Sequence, residues 1–269
     1  TIMKKLKLAL RLFVCLYAGV VSAEGVREAP LNNEENLRHG LSLYINTQEG
    51  GEISDRRLND LRDYFKNSQC SIQMVAAGDK SAAESAADIV FLPLDQDVPA
   101  QFQKVFNLGV IGGQPLSGSL LVRSSTGIRD ITELADVRIA FLSPGSVTGF
   151  RLQEALLDDA GVTLQKDLVT FTNSHLGAMS LLLHKDVFAA GVATPLAKKW
   201  AQANDLTIVA ESQSVVVGGL WIKSTIADEQ QEHCKTSLKT LFENKSDRRI
   251  KGLAKNFPVW VAGFIPTQE

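Results

Sequence analysis

The chain has 269 residues, 45% of them hydrophobic, and a formal net charge of −2 at neutral pH. That balance excludes a general nucleic-acid binder or a binder of acidic membranes, both of which need a basic surface. The four histidines (His39, His175, His184, His233) show no metal-ligand spacing. Neither H-E-x-x-H nor C-x-x-C is present, so the residues ask for no metal and no cofactor.

The N-terminus reads as a secretory signal. Lys4, Lys5 and Lys7 precede an apolar core, Leu8 to Val21, broken only by Arg11. Val21-Ser22-Ala23 then supplies a small-residue site for cleavage after Ala23, which predicts a periplasmic protein with residues 1–23 removed. Residues 24–36 are a polar leader. No later stretch offers about 18 uncharged apolar residues, so no membrane span is expected after export.

From Leu37 the chain alternates strands and helices. Leu37 to Ile45 is a strand ending near Tyr44, with Asn46 and Thr47 beyond it. Ser54 caps a helix to Lys66 that carries Leu58, Leu61, Tyr64 and Phe65 on one face. Ser71 to Ala76 is a strand, and Ala87 to Leu92 is a buried strand stopped by Pro93. Val98 to Phe106 is expected to be helical. Leu108 to Ile111, Ser119 to Arg123 and Ile139 to Leu142 are strands, with a short helix from Thr132 to Ala135. Further strands cover Leu168 to Phe171, Val187 to Val192, Leu206 to Ala210 and Val215 to Ile222. Helices cover His175 to His184, Pro195 to Ala203, Ala227 to Phe242 and Arg248 to Lys255. This order predicts an α/β fold of mainly parallel sheets covered by helices.

The stretch richest in ligand chemistry is RIAFLSPGSVTGF, Arg138 to Phe150. An apolar strand runs through a Ser/Gly/Thr loop straight into an amphipathic helix ending near Ala160. The helix start has unpaired backbone N–H groups and the positive end of the dipole. Ser143, Ser146 and Thr148 add hydroxyls, while Gly145 and Gly149 let backbone approach a bound group. Together these suit a small oxyanion; an ordinary turn and N-cap is the competing reading. The loop is not a P-loop, and Val147 stands where a nucleophile elbow would carry serine. A second strand-to-helix turn, Asn173 to His175, offers Ser174 and His175. His175 reads equally as a ligand contact or as a helix-start residue bonded to backbone. For Tyr44, packing is the simpler reading and ligand contact the weaker one. Cys70 and Cys234 permit a disulfide or two buried thiols.

Residues 119–142, SLLVRSSTGIRDITELADVRIAFL, with the loop that follows, resemble the phosphate/phosphite/phosphonate-binding family of type II periplasmic solute-binding proteins of ABC transporters. The counterparts are Val122-Arg123, Thr126-Gly127-Ile128, Glu133-Leu134-Ala135-Asp136 and Ser143 to Phe150. FTNSH (Phe171 to His175) and KDVFAAGV (Lys185 to Val192) resemble the family's next helix start and strand. ADIVFLP (Ala87 to Pro93) and Leu37 to Tyr44 resemble its first-lobe strands.

The resemblance implies a two-lobed protein, with residues 37–118 and 216–269 in lobe 1 and residues 119–215 in lobe 2. Two crossover strands, near Ser117 to Leu121 and Val215 to Leu220, would join the lobes. It implies capture of a small anionic solute by lobe closure, at Ser143, Ser146, Thr148, Gly149, Ser174 and His175 with Tyr44 opposite. The partner would be an inner-membrane ABC transporter permease; a sensing protein that signals to a membrane histidine kinase is the alternative. The chain would be a monomer. Shared lobe membership would also bring Cys70 and Cys234 near each other. The family's loop hydroxyl is Val147 here, the acid after the histidine is Leu176, and the strand aspartate is Phe188. Those losses argue against an amine-bearing phosphonate. A hydrolase on the same scaffold would have to use Ser146 with His175, and no carboxylate is placed by sequence to orient that histidine.

Overall fold

The computed structural model describes residues 40–50, 53–78, 86–244 and 246–267. The expected signal, its cleavage site and the leader lie outside these residues. Strands β1 (Leu41–Asn46), β2 (Ile72–Gly78), β3 (Ile89–Leu94) and β4 (Phe102–Val110) are followed by β5 (Gly118–Arg123), β6 (Ile139–Phe141), β7 (Val169–Phe171) and β8 (Ala189–Ala193). Then come β9 (Leu206–Glu211), β10 (Val217–Lys223) and β11 (Val261–Pro266). The α-helices are α1 (Asp55–Lys66), α2 (Leu152–Asp159), α3 (His175–Leu183), α4 (Thr194–Asn204), α5 (Asp228–Glu243) and α6 (Arg248–Leu253).

The strands form two sheets, a six-stranded one ordered β11-β4-β10-β3-β1-β2 and a five-stranded one ordered β7-β6-β8-β5-β9. The architecture is a two-lobed α/β fold, one sheet to each lobe. The sheets are mixed rather than mainly parallel. Pairing is parallel for β1 with β2 and β3, and for β6 with β7 and β8. It is antiparallel wherever β4, β5, β9, β10 or β11 takes part. Helix α1 links β1 to β2, and α2 and α3 link β6 to β7 to β8, so the helical crossovers generate the parallel pairs. The strands by which the chain enters and leaves each sheet have no such constraint.

Local chemistry explains most elements. Ser54 caps α1 by accepting from Arg57 N at 3.4 Å, and Asp55 and Lys66 stand at the dipole ends that suit them. Leu61 and Phe65, one turn apart, bury the same face. Asp130 and Glu133 form a capping box on the 3₁₀ turn Ile131–Leu134.

Three expectations fail for identifiable reasons. The segment Val98 to Phe106 is not helical, because Phe102 onward belongs to β4. Leu220 faces Phe106 while Trp221 faces Lys104, so Val105 is bulged out of register. The bulge buries both Val105 and Phe106 and imitates helical spacing. Pro93 does not stop β3: β1 pairs with β3 only as far as Phe91, so the missing N–H interrupts no bond on that side. Strand β11, at the end of the chain, carries no clear alternation and was not expected.

The first core packs α1, α5 and the loop after α6 against the six-stranded sheet, with Phe65, Phe91, Phe106, Phe257 and Trp260 fully buried. A disulfide between Cys70 and Cys234 ties the entry of β2 to α5 within this core. The second sheet buries one cluster on each face. Residues 111–117 lead from the first sheet to the second, and residues 212–216 lead back. The two connections touch through a Leu116–Val215 bridge. Ala193 and Leu196, at the start of α4, pack into the first core beside them.

Candidate anion-binding site

Strand β6 is buried along its length, between β7 and β8. Its C-terminal end opens into the loop singled out by sequence. Ser146 has extended backbone and caps the next helix, its Oγ accepting from Gly149 N at 2.8 Å. The helix does not begin as an ordinary α-turn. Residues Val147–Arg151 form a π-turn, with Arg151 N donating to Ser146 O at 2.9 Å. The N–H groups of Val147 and Thr148 are left for a partner outside the helix.

That partner is the carboxylate of Glu49, which is 0% exposed. Its Oε1 accepts from Val147 N. Its Oε2 accepts from Thr148 N and Ser146 Oγ, each at 3.1 Å, and from Thr148 Oγ1. Hydrogen bonds to a charged group contribute about 1.5–3 kcal/mol each, which offsets part of a desolvation penalty of several kcal/mol. Among the described residues no Lys or Arg forms an ion pair with Glu49. Burial pushes its pKa above the ordinary carboxylate value; the bonds from Thr148, Val147 and Ser146 pull the other way.

Glu49 stands in the turn after β1, a strand of the six-stranded sheet, whereas the loop follows β6 of the five-stranded one. Asn46 Oδ1 accepts from Gln48 N at 3.0 Å, and Gly50 N donates to Thr47 O at 3.0 Å, which fixes the turn. Gln48 Nε2 adds a second bond from this turn to the loop, donating to Gly145 O at 2.5 Å.

The second helix start lies beside the first. Asn173 N donates to Leu142 O at 2.7 Å, and Ser174 caps α3 by accepting from Gly177 N at 2.8 Å. His175 is 2% exposed, and neither ring nitrogen has a hydrogen-bond partner among the described residues. Burial lowers its pKa to about 3, so the ring is neutral. Gly149 is required at its position. A Cβ there would lie 2.6 Å from Leu142 Cβ, 2.9 Å from Ser146 Oγ and 3.0 Å from His175 Cε1.

The structure therefore brings Ser146, Thr148, Gly149 and His175 together. Ser143 contributes its carbonyl, which accepts from Ser146 N at 3.1 Å. The Ser174 hydroxyl serves its own helix, and Tyr44 packs with Val90, Leu92, Phe102 and Trp221. Phe188 stands away from the site. Its N–H bonds Arg138 O at the entry of β6, whereas the loop leaves the exit of β6, so its apolar character carries no information about the ligand. Leu176 is 58% exposed on α3. Glu49, Gln48 and Gln153 were not singled out by sequence. Gln153 is fully buried on α2, its Nε2 donating to the carbonyls of Thr148 (2.7 Å), Val192 (3.0 Å) and Ser119 (3.3 Å).

Residues 97–269 match the family of phosphonate-binding periplasmic substrate-binding proteins of ABC transporters. No curated protein matches the chain by sequence. Among solved structures, a binding-protein component of an ABC phosphonate transporter from Pseudomonas aeruginosa is 13% identical, with a TM-score of 0.53 over 85% of this chain and 82% of that one. A protein from Prochlorococcus marinus in complex with methylphosphonate is 12% identical, with a TM-score of 0.53 over 85% and 93%. A Xanthomonas citri protein bound to chloride ion is 15% identical, with a TM-score of 0.51 over 85% and 91%. At these identities the likeness is one of fold.

Proposed function

The chain belongs to the phosphonate-binding family of periplasmic substrate-binding proteins of ABC transporters, and we propose that its own solute is a small oxyanion held by the Ser146–Thr148 loop. As a member of that family it works in the periplasm with a transporter permease. One observation carries the reading of the site. Two backbone N–H groups and two hydroxyls at a helix start converge on the two oxygens of a carboxylate, so the loop is built to receive an oxyanion. The neutral, unpaired ring of His175 beside Gly149 offers one further donor or acceptor to a solute oxygen.

We place the lobe boundaries at residues 37–118 with 216–269, and 119–215, so that closure turns about the paired connections at Leu116 and Val215. The chain acts as a monomer that binds without covalent chemistry. The Ser146 hydroxyl is engaged by Gly149 N and Glu49, and no hydrogen bond joins it to His175 among the described residues. Export with cleavage after Ala23 leaves Glu24 as the first residue, which intact-mass measurement of periplasmic protein checks.

Titration calorimetry against phosphate, phosphite, methylphosphonate, sulfate and acetate tests the solute class, with melting temperature as a second readout. A ligand at about 100 times its Kd adds about 2.7 kcal/mol of stability. Saturable binding of at least one oxyanion is expected, reduced in Thr148→Ala. Binding of none of them, by this chain and by Glu49→Ala alike, would refute the assignment.

A further inference from the structure

The Ser146–Thr148 loop has no donor to spare. Both hydroxyls and both outward N–H groups are taken by Glu49, a residue 97–99 positions away in sequence and supplied by the opposite lobe. We propose that Glu49 is a tethered internal anion that competes with the solute for this loop and holds the lobes together when no solute is present. This rests on the reading of the loop as the solute site, and it sharpens that reading. A solute that replaces Glu49 must present two oxygens, spaced like those of a carboxylate, to the same four donors.

Three observations carry the proposal. First, the occupant is the wrong charge for a bystander. With no Lys or Arg paired to Glu49 among the described residues, its charge is met by dipoles and hydroxyls alone. A second anion added beside it would face uncompensated repulsion in a water-poor site. Exchange, not addition, is the route open to an anionic solute. Second, the turn that carries Glu49 is stiff, pinned by Asn46 and by the Gly50–Thr47 bond. The carboxylate leaves when the turn and its lobe move. Third, Gln48 bonds Gly145 alongside. That neutral bond contributes about 0.5–1.5 kcal/mol, less than the four bonds made to Glu49.

The family match begins at residue 97, so the segment that carries Glu49 lies outside it. The latch sets a threshold. A solute with one weak oxygen contact does not displace a carboxylate held by four donors, whereas a phosphonate or a second carboxylate does.

The test uses Glu49→Ala and the near-isosteric Glu49→Gln, each checked for native circular dichroism. Calorimetry with methylphosphonate, phosphite and acetate is expected to show binding at least ~10-fold tighter in Glu49→Ala than in the natural chain. That factor follows from a loop left free less than about a tenth of the time. Equal or weaker binding in both variants overturns the proposal. Small-angle scattering without solute gives an independent readout: the natural chain stays compact, and both variants are more extended until solute is added. Unchanged dimensions in both variants overturn the latch. If no probe binds any form, the oxyanion assignment fails. Scattering still decides in that case: expansion of the variants supports Glu49 as the loop's occupant, and unchanged dimensions refute it.

Discussion

His175 makes a prediction that can be worked through. The ring is fully enclosed, both nitrogens are unpaired, and burial lowers its pKa from 6.5 to about 3. The unfolded chain therefore binds a proton that the folded chain refuses, between about pH 6.5 and 3. Where the unfolded state holds more protons, stability rises with pH. The His175 contribution is thus fully present above about pH 6.5 and is lost as pH falls toward 3. Between pH 7.5 and 5 the loss amounts to about 2 kcal/mol, from 1.36 kcal/mol per pKa unit. Glu49 acts in the opposite sense, since its raised pKa makes the folded state lose stability as pH rises through that value. Comparison with a variant cancels the Glu49 part.

His175→Phe keeps a ring in the site and removes two unsatisfied polar atoms. It should be as stable as the natural chain at pH 7.5, or more so, and should lose about 2 kcal/mol less on going to pH 5. His175→Leu serves as a smaller control against overpacking. Urea unfolding at a series of pH values measures both. Parallel pH profiles for the natural chain and both variants would refute the argument, because they would mean that His175 has a solution-like pKa. A gain in stability combined with a loss of oxyanion binding would mark the strain of this ring as kept for the site.

Thr148→Ala should weaken oxyanion binding 10- to 100-fold in a Glu49→Ala background, the loss of one charge-assisted bond of about 1.5–3 kcal/mol. In the natural chain the same change should show a smaller effect by calorimetry, because Thr148 serves the solute and Glu49 alike; equal effects in both backgrounds would contradict a shared site. Gly149→Ala should destabilise the chain by about 1–3 kcal/mol in urea and abolish binding, because the new methyl meets Leu142, Ser146 and His175 at 3.0 Å or less. Cys70→Ala/Cys234→Ala should lower stability by about 2–5 kcal/mol, as expected for a crosslink spanning 164 residues. Denatured, unreduced protein freed of residues 1–23, which carry Cys15, should show no free thiol, and two reactive thiols would rule the bond out.

The loop was legible because its information is local. A strand, two glycines and three hydroxyls within Ile139 to Phe150 announce a helix start with donors. The α1 boundaries were legible for the same reason, Ser54 at one end and Lys66 at the other. Glu49 was not legible. It stands in a polar turn, Thr47 to Gly50, where a glutamate reads as a solvated surface residue, and its four donors lie nearly a hundred residues away. Only the three-dimensional meeting of the lobes turns it into the loop's occupant. The same limit hid the role of Gln153, whose amide reads as one polar position on a helix. Strand β4 was missed for a different cause. The bulge at Val105 breaks period-two alternation and leaves Phe102, Val105 and Phe106 at a helix-like interval. Phe188 misled through its matching string: the pattern aligns, but the residue sits just before the start of β8, remote from the loop.

Gln153 carries one more consequence. Its single amide nitrogen anchors Thr148 to the backbones of β5 and β8, so the loop moves only as a part of its sheet. The four donors then have fixed spacing, like the jaws of a gauge set once and locked. Such a receptor does not reshape itself around a larger or smaller anion. Discrimination among solutes is written in geometry, and a misfit of a few tenths of an ångström is felt as lost hydrogen bonds rather than absorbed by a yielding chain.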